Sequence, residues 1–243
     1  MLDDDALTHD AFLGGEVQAW QPKRGYRAGV DPVLLAAACP AQPGDSVLDL
    51  GCGVGVAGLC VAARVTGVVL RGVERQPHYA ALAARNGVDV TCADLADLPT
   101  DMRRLSFDHV IMNPPYYGQG TASEDAGRTG ALREDTPLPV WGSVARARLR
   151  PKGWLTLIHM AERLPDVLAA LDGFGDIAVR PLAPRTGRDA TRIVLRARKS
   201  SRGTFRLLAP ILIHEGDTHL ADGDDYSATA RAILRDCAPL VFE

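Results

Sequence analysis

Short apolar runs alternate along the chain with stretches in which apolar positions recur at helical spacing. The runs predict strands and the spaced stretches predict helices. Strands are predicted at residues 47–50, 68–74, 88–92, 107–112, 154–159, 177–180 and 191–197. Helices are predicted at residues 31–38, 56–63, 77–85, 140–149, 164–171 and 227–237. This alternation indicates an α/β fold with a doubly wound, mostly parallel sheet of seven strands and helices on both faces.

Length and composition indicate one globular domain. The chain has 243 residues, of which 47% are hydrophobic and 23% are charged, enough for a sizeable core. We expect a single domain over residues 1–243, with a short N-terminal extension to about residue 40. The acidic N-terminus lacks the features of a signal peptide, and no apolar stretch is long enough to span a bilayer. Five scattered cysteines form no CxxC pair or metal-ligand spacing, which favours reduced thiols in the cytoplasm and no metal.

Positive charge is concentrated in one segment, although the net charge is −3. The segment 180–206 carries nine basic residues against the single Asp189: Arg180, Arg185, Arg188, Arg192, Arg196, Arg198, Lys199, Arg202 and Arg206. Such a cluster attracts phosphate groups if its side chains share a face. It is equally consistent with a solvated strand edge that arginines protect from aggregation.

A glycine-rich turn follows the first predicted strand of the sheet, in Asp49-Leu-Gly51-Cys-Gly53-Val-Gly55. Glycines allow a tight turn and a close approach of the backbone to a ligand beside a helix N-terminus. Together with Gly58, this stretch also matches the GxGxxG fingerprint of a nicotinamide dinucleotide site, so an oxidoreductase is an alternative.

Two carboxylates follow the next predicted strands. Glu74 ends the second strand of the sheet, where a carboxylate can bind ribose hydroxyls. Asp94 follows the third, where it can accept a hydrogen bond from the amino group of an adenine or cap a short turn. Both positions suit a cofactor that contains adenosine.

The sequence Asn113-Pro114-Pro115-Tyr116 follows the apolar run 107–112. Two consecutive prolines restrict the backbone and remove two N–H donors, so that the neighbouring carbonyl groups are left free to accept. The Asn113 side-chain oxygen and the Pro114 carbonyl can then accept both protons of one planar NH₂ group and direct its lone pair at an electrophile. Tyr116 offers a face on which a base can stack. The motif predicts transfer to a planar amino group, catalysed by positioning rather than by a strong base.

These motifs together resemble the N6-adenine methyltransferases that modify a valine tRNA. The resemblance also includes Phe12-Leu-Gly-Gly15, the stretch 21–31 (QPKRGYRAGVD), and Asp222-Gly223 with Tyr226-Ser227 near the C-terminus. It implies a Rossmann-like class I methyltransferase fold, S-adenosylmethionine as cofactor, and methylation of adenosine 37 beside the anticodon.

The resemblance also implies roles for individual residues. The cofactor set is Gly29, Asp31, Asp49, Gly51, Gly53, Gly55, Glu74, Asp94 and Asn113, with Gly29 and Asp31 near the methionine end. The residues expected to hold the target base are Asn113, Pro114, Pro115 and Tyr116. Apart from the resemblance, the basic residues expected to contact tRNA are Arg192 and Arg196 from the segment 180–206, together with Lys23, Arg24 and Arg27. Asp31 also precedes Pro32 in a pattern typical of a helix N-cap.

Other acceptors and another class of function stay open at this point. The amide of a protein glutamine and the N2 group of an rRNA guanine are also planar amino groups. A non-catalytic RNA-binding module is the alternative from a different class. The segment 118–139, rich in Gly, Thr, Ser and Pro, is predicted to be a long functional loop.

Overall fold

The computed structural model describes residues 4–116, 136–216 and 225–242. The chain begins with an antiparallel hairpin of β1 (Leu7–Phe12) and β2 (Val17–Pro22), which the sequence did not predict. The hairpin reverses through Leu13–Gly15. Gly14 has φ +66°, and a Cβ there would lie 2.7 Å from the Arg235 carbonyl oxygen, so this turn requires glycine. Helix α1 (Asp31–Ala38) follows.

The described residues form a sheet of nine strands, which confirms the predicted α/β class. The strands are β3 (Ser46–Leu50), β4 (Val69–Glu74), β5 (Asp89–Cys92), β6 (Phe107–Met112), β7 (Leu149–Met160), β8 (Phe174–Ala183), β9 (Arg192–Lys199), β10 (Arg206–Leu207) and β11 (Ile211–Leu212). The order is β10-β8-β9-β7-β6-β3-β4-β5, and β11 also pairs with β8. Among the described strands of this sheet, only β9 runs antiparallel to its neighbours, which are β7 and β8. Strands β10 and β11 are additions to the seven predicted ones, because two residues are too few to show a periodic pattern.

Helices cover both faces of the sheet. They are α2 (Val56–Arg64), α3 (Pro77–Arg85), α4 (Thr100–Arg104), α5 (Leu138–Arg148), α6 (Leu164–Ala169) and α7 (Ala228–Arg235). Alternate strand residues enter two different cores: Val47 packs in the cluster of α1 and α2, while Leu48 packs in the cluster of α5 and α6. This alternation is the consequence of a sheet that is buried on both sides. No helix in the described ranges combines the length and apolarity needed to cross a membrane.

The predicted loop 118–139 lies mainly outside the described residues, as does Asp222-Gly223 of the resemblance. At its end, Leu138 and Pro139 belong to α5 rather than to a loop.

Strand direction determines where the functional residues meet. The carboxyl ends of β3, β4, β5 and β6 share one edge of the sheet because these strands are parallel. Strand β9 runs in the opposite direction, so that its first residue, Arg192, lies at this same edge. Ligands of open α/β sheets bind outside the carboxyl ends of the strands.

Candidate cofactor and acceptor site

A cleft of about 410 Å³ opens at the carboxyl edge of the sheet. The residues from the predicted sets that line it are Arg27, Gly29, Asp31, Asp49, Gly51, Gly53, Glu74, Asp94, Asn113, Pro114, Pro115, Tyr116 and Arg192. The cleft brings together most of the cofactor set and the whole acceptor motif, although these residues come from separate strands and loops. The described ranges contain no group of three His, Cys, Asp or Glu side chains placed to hold a metal ion.

The glycine turn is closed by hydrogen bonds to Glu74. The Gly53 N–H donates to Glu74 Oε2 at 3.0 Å, and the Gln76 N–H donates to Oε1 at 2.8 Å. Each carboxylate oxygen keeps capacity to accept a further hydrogen bond. Glu74 thus fixes the loops after β3 and β4 relative to each other at the edge of the cleft.

Gly51 and Gly55 are required for conformation and for packing. Gly51 has φ +66°, and a Cβ there would lie 2.4 Å from the Trp141 ring. Gly55 has φ +91° and its Cβ would meet Val88 at 2.5 Å. Gly55 does not line the described cleft, so the structure favours a packing role for it over the predicted cofactor contact.

Asp49 is a buried carboxylate with an altered titration. It is 3% exposed, and its Oδ2 accepts one hydrogen bond, from the Gly58 N–H at 3.1 Å. Burial raises the pKa of Asp49 to about 7; the Gly58 hydrogen bond opposes that rise and the charge of Glu74 adds to it. The ionised Asp49 carboxylate has one hydrogen bond to offset its loss of hydration, so a cationic ligand in the cleft would stabilise it.

Asp94 caps a turn and faces the cleft at the same time. Its side chain accepts from the Ala96 N–H at 2.9 Å at the start of the short 3₁₀ helix Leu95–Asp97. Its Oδ2 lies 3.9 Å from Arg75 Nη1. The capping role and the position in the cleft therefore coexist, as the sequence allowed.

Asn113 carries a buried acceptor without a partner. In the part of the chain that the structure describes, its Oδ1 has no hydrogen-bond partner and is inaccessible to solvent. Buried polar atoms are nearly always paired, so an unpaired one at a cleft wall indicates a ligand that supplies the donor. Pro114 and Pro115 line the cleft beside it and carry no N–H of their own.

Tyr116 is held by contacts that the sequence did not predict. Its hydroxyl donates to Asp31 Oδ2 at 2.6 Å, and its carbonyl accepts from Arg163 Nη1 at 3.3 Å. The Arg192 guanidinium lies 5.0 Å from the centre of its ring, and the His159 ring lies edge-on at 5.3 Å. Burial and the neighbouring Asp31 charge raise the pKa of Tyr116.

Asp31 makes a different contact from the one expected. It is the first residue of α1 rather than the N-cap, which is Val30. The Asp31 carboxylate instead accepts from Tyr116 and from Arg192 Nε, the latter at 3.2 Å. No local pattern could reveal contacts between residues 85 and 161 positions apart.

The predicted RNA-contacting residues divide into two groups. Lys23, Arg24 and Arg27 are exposed; Lys23 Nζ donates to the Asp5 carbonyl at 2.6 Å, and Arg27 lies at the cleft while pairing with Asp10 at 2.7 Å. Arg196 instead donates to the carbonyl oxygens of Ala38 and Leu240, with its guanidinium 4.1 Å from the Phe242 ring centre. This internal pairing argues against the RNA contact predicted for Arg196.

Most of the other arginines in segment 180–206 also bond within the protein. Arg180 donates to the carbonyls of Ala209 and Val241, and Arg206 donates to that of Phe242. Arg185 pairs with Asp225. The basic segment is therefore not one continuous phosphate-binding face: part of its charge fastens the C-terminal residues to the sheet.

The comparisons with known proteins agree with this geometry. The model of the methyltransferase small domain family matches residues 29–133. Relatives from two strains of Porphyromonas gingivalis, both named tRNA1(Val) (adenine(37)-N6)-methyltransferase, are 32% identical over 157 residues and 31% identical over 174 residues. These matches cover 58% and 65% of this chain and 61% and 68% of the relatives. The chain spans about half to two thirds of the length of the first curated relatives it matches.

Two solved structures have a similar fold. A protein from Agrobacterium tumefaciens described as a predicted O-methyltransferase has a TM-score of 0.71 and 27% identity, covering 86% of this chain and 98% of its own. A Thermus thermophilus 16S rRNA N2 G1207 methyltransferase, solved with AdoMet and guanosine, has a TM-score of 0.55 and 20% identity. That match covers 82% of this chain and 47% of the other, and it shows the fold alone.

The matches confirm the resemblance drawn from the motifs and identify S-adenosylmethionine, rather than a nicotinamide dinucleotide, as the cofactor. The chain belongs to the tRNA1(Val) (adenine(37)-N6)-methyltransferase family of S-adenosylmethionine-dependent methyltransferases.

Proposed function

We propose that the chain transfers a methyl group from S-adenosylmethionine to the exocyclic N6 of an adenine in RNA, and that the acceptor is adenosine 37 of a valine tRNA. The observation that carries this proposal is the buried Asn113 Oδ1 at the cleft wall, which has no hydrogen-bond partner among the described residues. An amide oxygen in that position suits an NH₂ donor. The names of the relatives support tRNA adenine as the source of that donor.

The residues of the cleft fit S-adenosylmethionine. Glu74 would accept from the ribose hydroxyls, and Asp94 from the adenine amino group. Gly29 and the carboxylate of Asp49 would adjoin the methionine end, where the cofactor carries positive charge. A cleft of about 410 Å³ lies within the range for pockets that enclose small ligands. When bound, the cofactor supplies an electrophilic methyl group on a sulfonium.

Asn113 and Pro114 would hold the target amino group. Its two protons would be accepted by Asn113 Oδ1 and the Pro114 carbonyl, which takes the nitrogen lone pair out of conjugation with the ring. Tyr116 would stack on the base, a contact worth about 1 to 3 kcal/mol. Transfer of the methyl group to that nitrogen would leave the cofactor as a neutral thioether, and the nitrogen would pass one proton to water. No strong base is needed, so positioning by Asn113 and Pro114 would supply most of the catalysis.

A hydroxyl acceptor, which the description of the Agrobacterium protein would suggest, suits these residues less well. A hydroxyl group needs a base to remove its proton, and an amide oxygen is a very weak base. The Asp31 carboxylate is already bonded to Tyr116 and Arg192. Guanine N2 and glutamine amides present the same planar NH₂ and stay as alternatives to adenine.

We propose tRNA as the macromolecular partner and the cytoplasm as the compartment in which it is met. Arg27 lines the cleft, Lys23 and Arg24 precede it in the chain, and all three are exposed, so they would supply positive charge for the phosphate backbone. The proposal treats residues 1–243 as one methyltransferase domain. Its support is the shared core, in which residues of the hairpin, α1 and the sheet pack in one cluster.

Nucleoside analysis tests the proposal. The protein is incubated with S-adenosylmethionine and a pool of tRNA that lacks the modification, and the digested nucleosides are measured by mass spectrometry. We expect N6-methyladenosine among the nucleosides, and mass spectrometry of ribonuclease fragments of a purified valine tRNA to place it at position 37. Methylation of another acceptor and not of tRNA would overturn the substrate assignment. Failure to bind S-adenosylmethionine in a titration would instead favour the non-catalytic RNA-binding module.

A further inference from the structure

We infer that Arg192 is a positioning residue for the acceptor base, acting through Asp31 on Tyr116; this inference rests on the proposed function. Asp31 Oδ2 accepts from the Tyr116 hydroxyl at 2.6 Å and from Arg192 Nε at 3.2 Å. The Arg192 guanidinium also lies 5.0 Å from the centre of the Tyr116 ring. One carboxylate therefore connects the guanidinium to the hydroxyl, while the ring contacts the guanidinium directly.

The antiparallel direction of β9 makes this arrangement possible. A parallel strand in that place would put its first residue at the opposite edge, away from the carboxyl ends of β3 and β6. Because β9 is reversed, Arg192 starts the strand at the cleft, opposite Met160 of β7. Asp31 reaches the same place from the start of α1, and Tyr116 from the loop after β6.

The burial of the pair indicates a function inside the cleft. The Arg192 side chain is 29% exposed and the Asp31 side chain 21% exposed. A phosphate-binding arginine presents a free planar fork to solvent. Here Nε is engaged by Asp31, and Nη1 donates to the Thr191 carbonyl at 3.2 Å. The contacts of Arg192 thus favour holding Tyr116 over binding RNA phosphate.

Loss of Arg192 would leave the Asp31 charge without its cation and the Tyr116 ring without one of its neighbours. The ring would then sample several orientations, and the base stacked on it would be misaligned with the methyl group. Misalignment on the order of 1 Å can lower the rate about 100-fold. We expect the rate of transfer to fall by about 10- to 100-fold at saturating RNA in Arg192→Ala, with little change in cofactor affinity.

The experiment combines a measurement without RNA and one with it. Tyrosine side chains are labelled with ¹³C, and the Tyr116 signal is identified by its loss in Tyr116→Phe. In Arg192→Ala we expect this signal to shift and broaden, and Arg192→Lys, which keeps a cation within reach of Asp31, to restore part of the original spectrum. The matched control Arg188→Ala removes a positive charge from the exposed turn before β9 and leaves the Tyr116 signal in place.

Single-turnover transfer and RNA binding are then measured over a range of salt concentrations. The inference is supported if Arg192→Ala slows transfer at saturating RNA and leaves the salt dependence of RNA binding unchanged. It is overturned if the Tyr116 signal is unaffected. It is also overturned if the salt slope falls by about 1 while the saturated rate is kept, because that result identifies a phosphate contact. If the wild-type protein methylates no RNA, the proposed function fails, and the Tyr116 spectra still show separately whether Arg192 holds the Tyr116 ring.

Discussion

At the scale of single residues, Asn113 provides the sharpest test of the acceptor chemistry. Within the described ranges its buried Oδ1 has no hydrogen-bond partner, so we expect the substrate amino group to supply one. Losing one well-placed hydrogen bond to a reacting group costs on the order of 100-fold in rate. We expect Asn113→Ala to lower transfer by about this factor and to leave cofactor affinity within a few fold, as measured by single-turnover assays and calorimetry.

Thr156→Val is the matched control for this substitution. Thr156 Oγ1 is also a buried oxygen without a hydrogen-bond partner among the described residues, but it does not line the cleft. Its removal should leave transfer unchanged. Equal losses of activity in the two variants, or loss of cofactor binding in Asn113→Ala, would show that Asn113 does not act mainly on the acceptor.

Asp49 predicts a pH dependence of cofactor affinity. Its pKa is raised from 3.8 to about 7 in the folded protein. The folded chain binds this proton more tightly than the unfolded chain. Protonation therefore contributes in full to the free energy of unfolding below about pH 4, and this contribution is lost as the pH rises to about 7. The positively charged cofactor favours the ionised carboxylate. Its affinity should therefore rise by up to about tenfold per pH unit below pH 7 and level off above it.

Calorimetric titration of S-adenosylmethionine between pH 5.5 and 8.5 measures this dependence. The variant Asp49→Asn cannot ionise, so its affinity should be flat across the same range. A wild-type affinity that does not change below pH 7, or an identical slope in Asp49→Asn, would assign the proton to another group.

At the scale of elements, the turn between β3 and α2 is held against α5. A Cβ on Gly51 would lie 2.4 Å from the Trp141 ring, and the residue has φ +66°. We expect Gly51→Ala to lower the free energy of unfolding by about 2 to 4 kcal/mol, since backbone strain and overpacking add. Urea denaturation measures the loss, and the double variant with Trp141→Phe should recover part of it.

Gly44→Ala separates the two contributions. Gly44 also has a positive φ, +89°, but a Cβ there would meet no atom within 4 Å. The expected loss is about 1 to 2 kcal/mol, from backbone strain alone. Equal losses at the two glycines would mean that the contact of the turn with α5 contributes nothing.

Across the whole molecule, the elements with a clear period were predictable and the contacts between distant segments were not. The strand 107–112 and the helix 77–85 were predicted with the bounds that the structure has. Strand β7 begins at Leu149, five residues before the predicted start. The prediction began too late because the charged residues Arg150 and Lys152 are typical of a loop. The hairpin was not predicted, because one of the contacts that hold it is made by a distant residue. Asn86 bonds to both the N–H and the carbonyl of Trp20, 66 residues away.

The candidate site also contains some residues whose position was predictable from the sequence and others whose contacts were not. Motifs in which one short segment supplies all the chemistry, such as Asn113 to Tyr116, lie in the cleft as predicted. Charge clusters were harder to interpret, because a count of arginines does not say whether each one faces solvent or a carbonyl group. Arg196 is the example: burial lowers its pKa to about 10, and it bonds to the backbone at the end of α1 and at Leu240.

Because Arg196 bonds within the protein, its substitution should affect stability rather than RNA binding. Arg196→Ala removes hydrogen bonds to Ala38 and Leu240 and the packing on Phe242, so it should lower the free energy of unfolding by about 2 to 3 kcal/mol. It should leave the salt dependence of tRNA binding unchanged. The double variant Lys23→Ala, Arg24→Ala removes two exposed charges from the segment before α1, together with the hydrogen bond of Lys23 to the Asp5 carbonyl. It should reduce the salt slope by about 2 with a smaller effect on stability than Arg196→Ala. Filter binding over a range of salt concentrations, together with urea denaturation, measures both quantities. The opposite pattern, with the slope lost in Arg196→Ala and kept in the double variant, would return the RNA-binding face to segment 180–206.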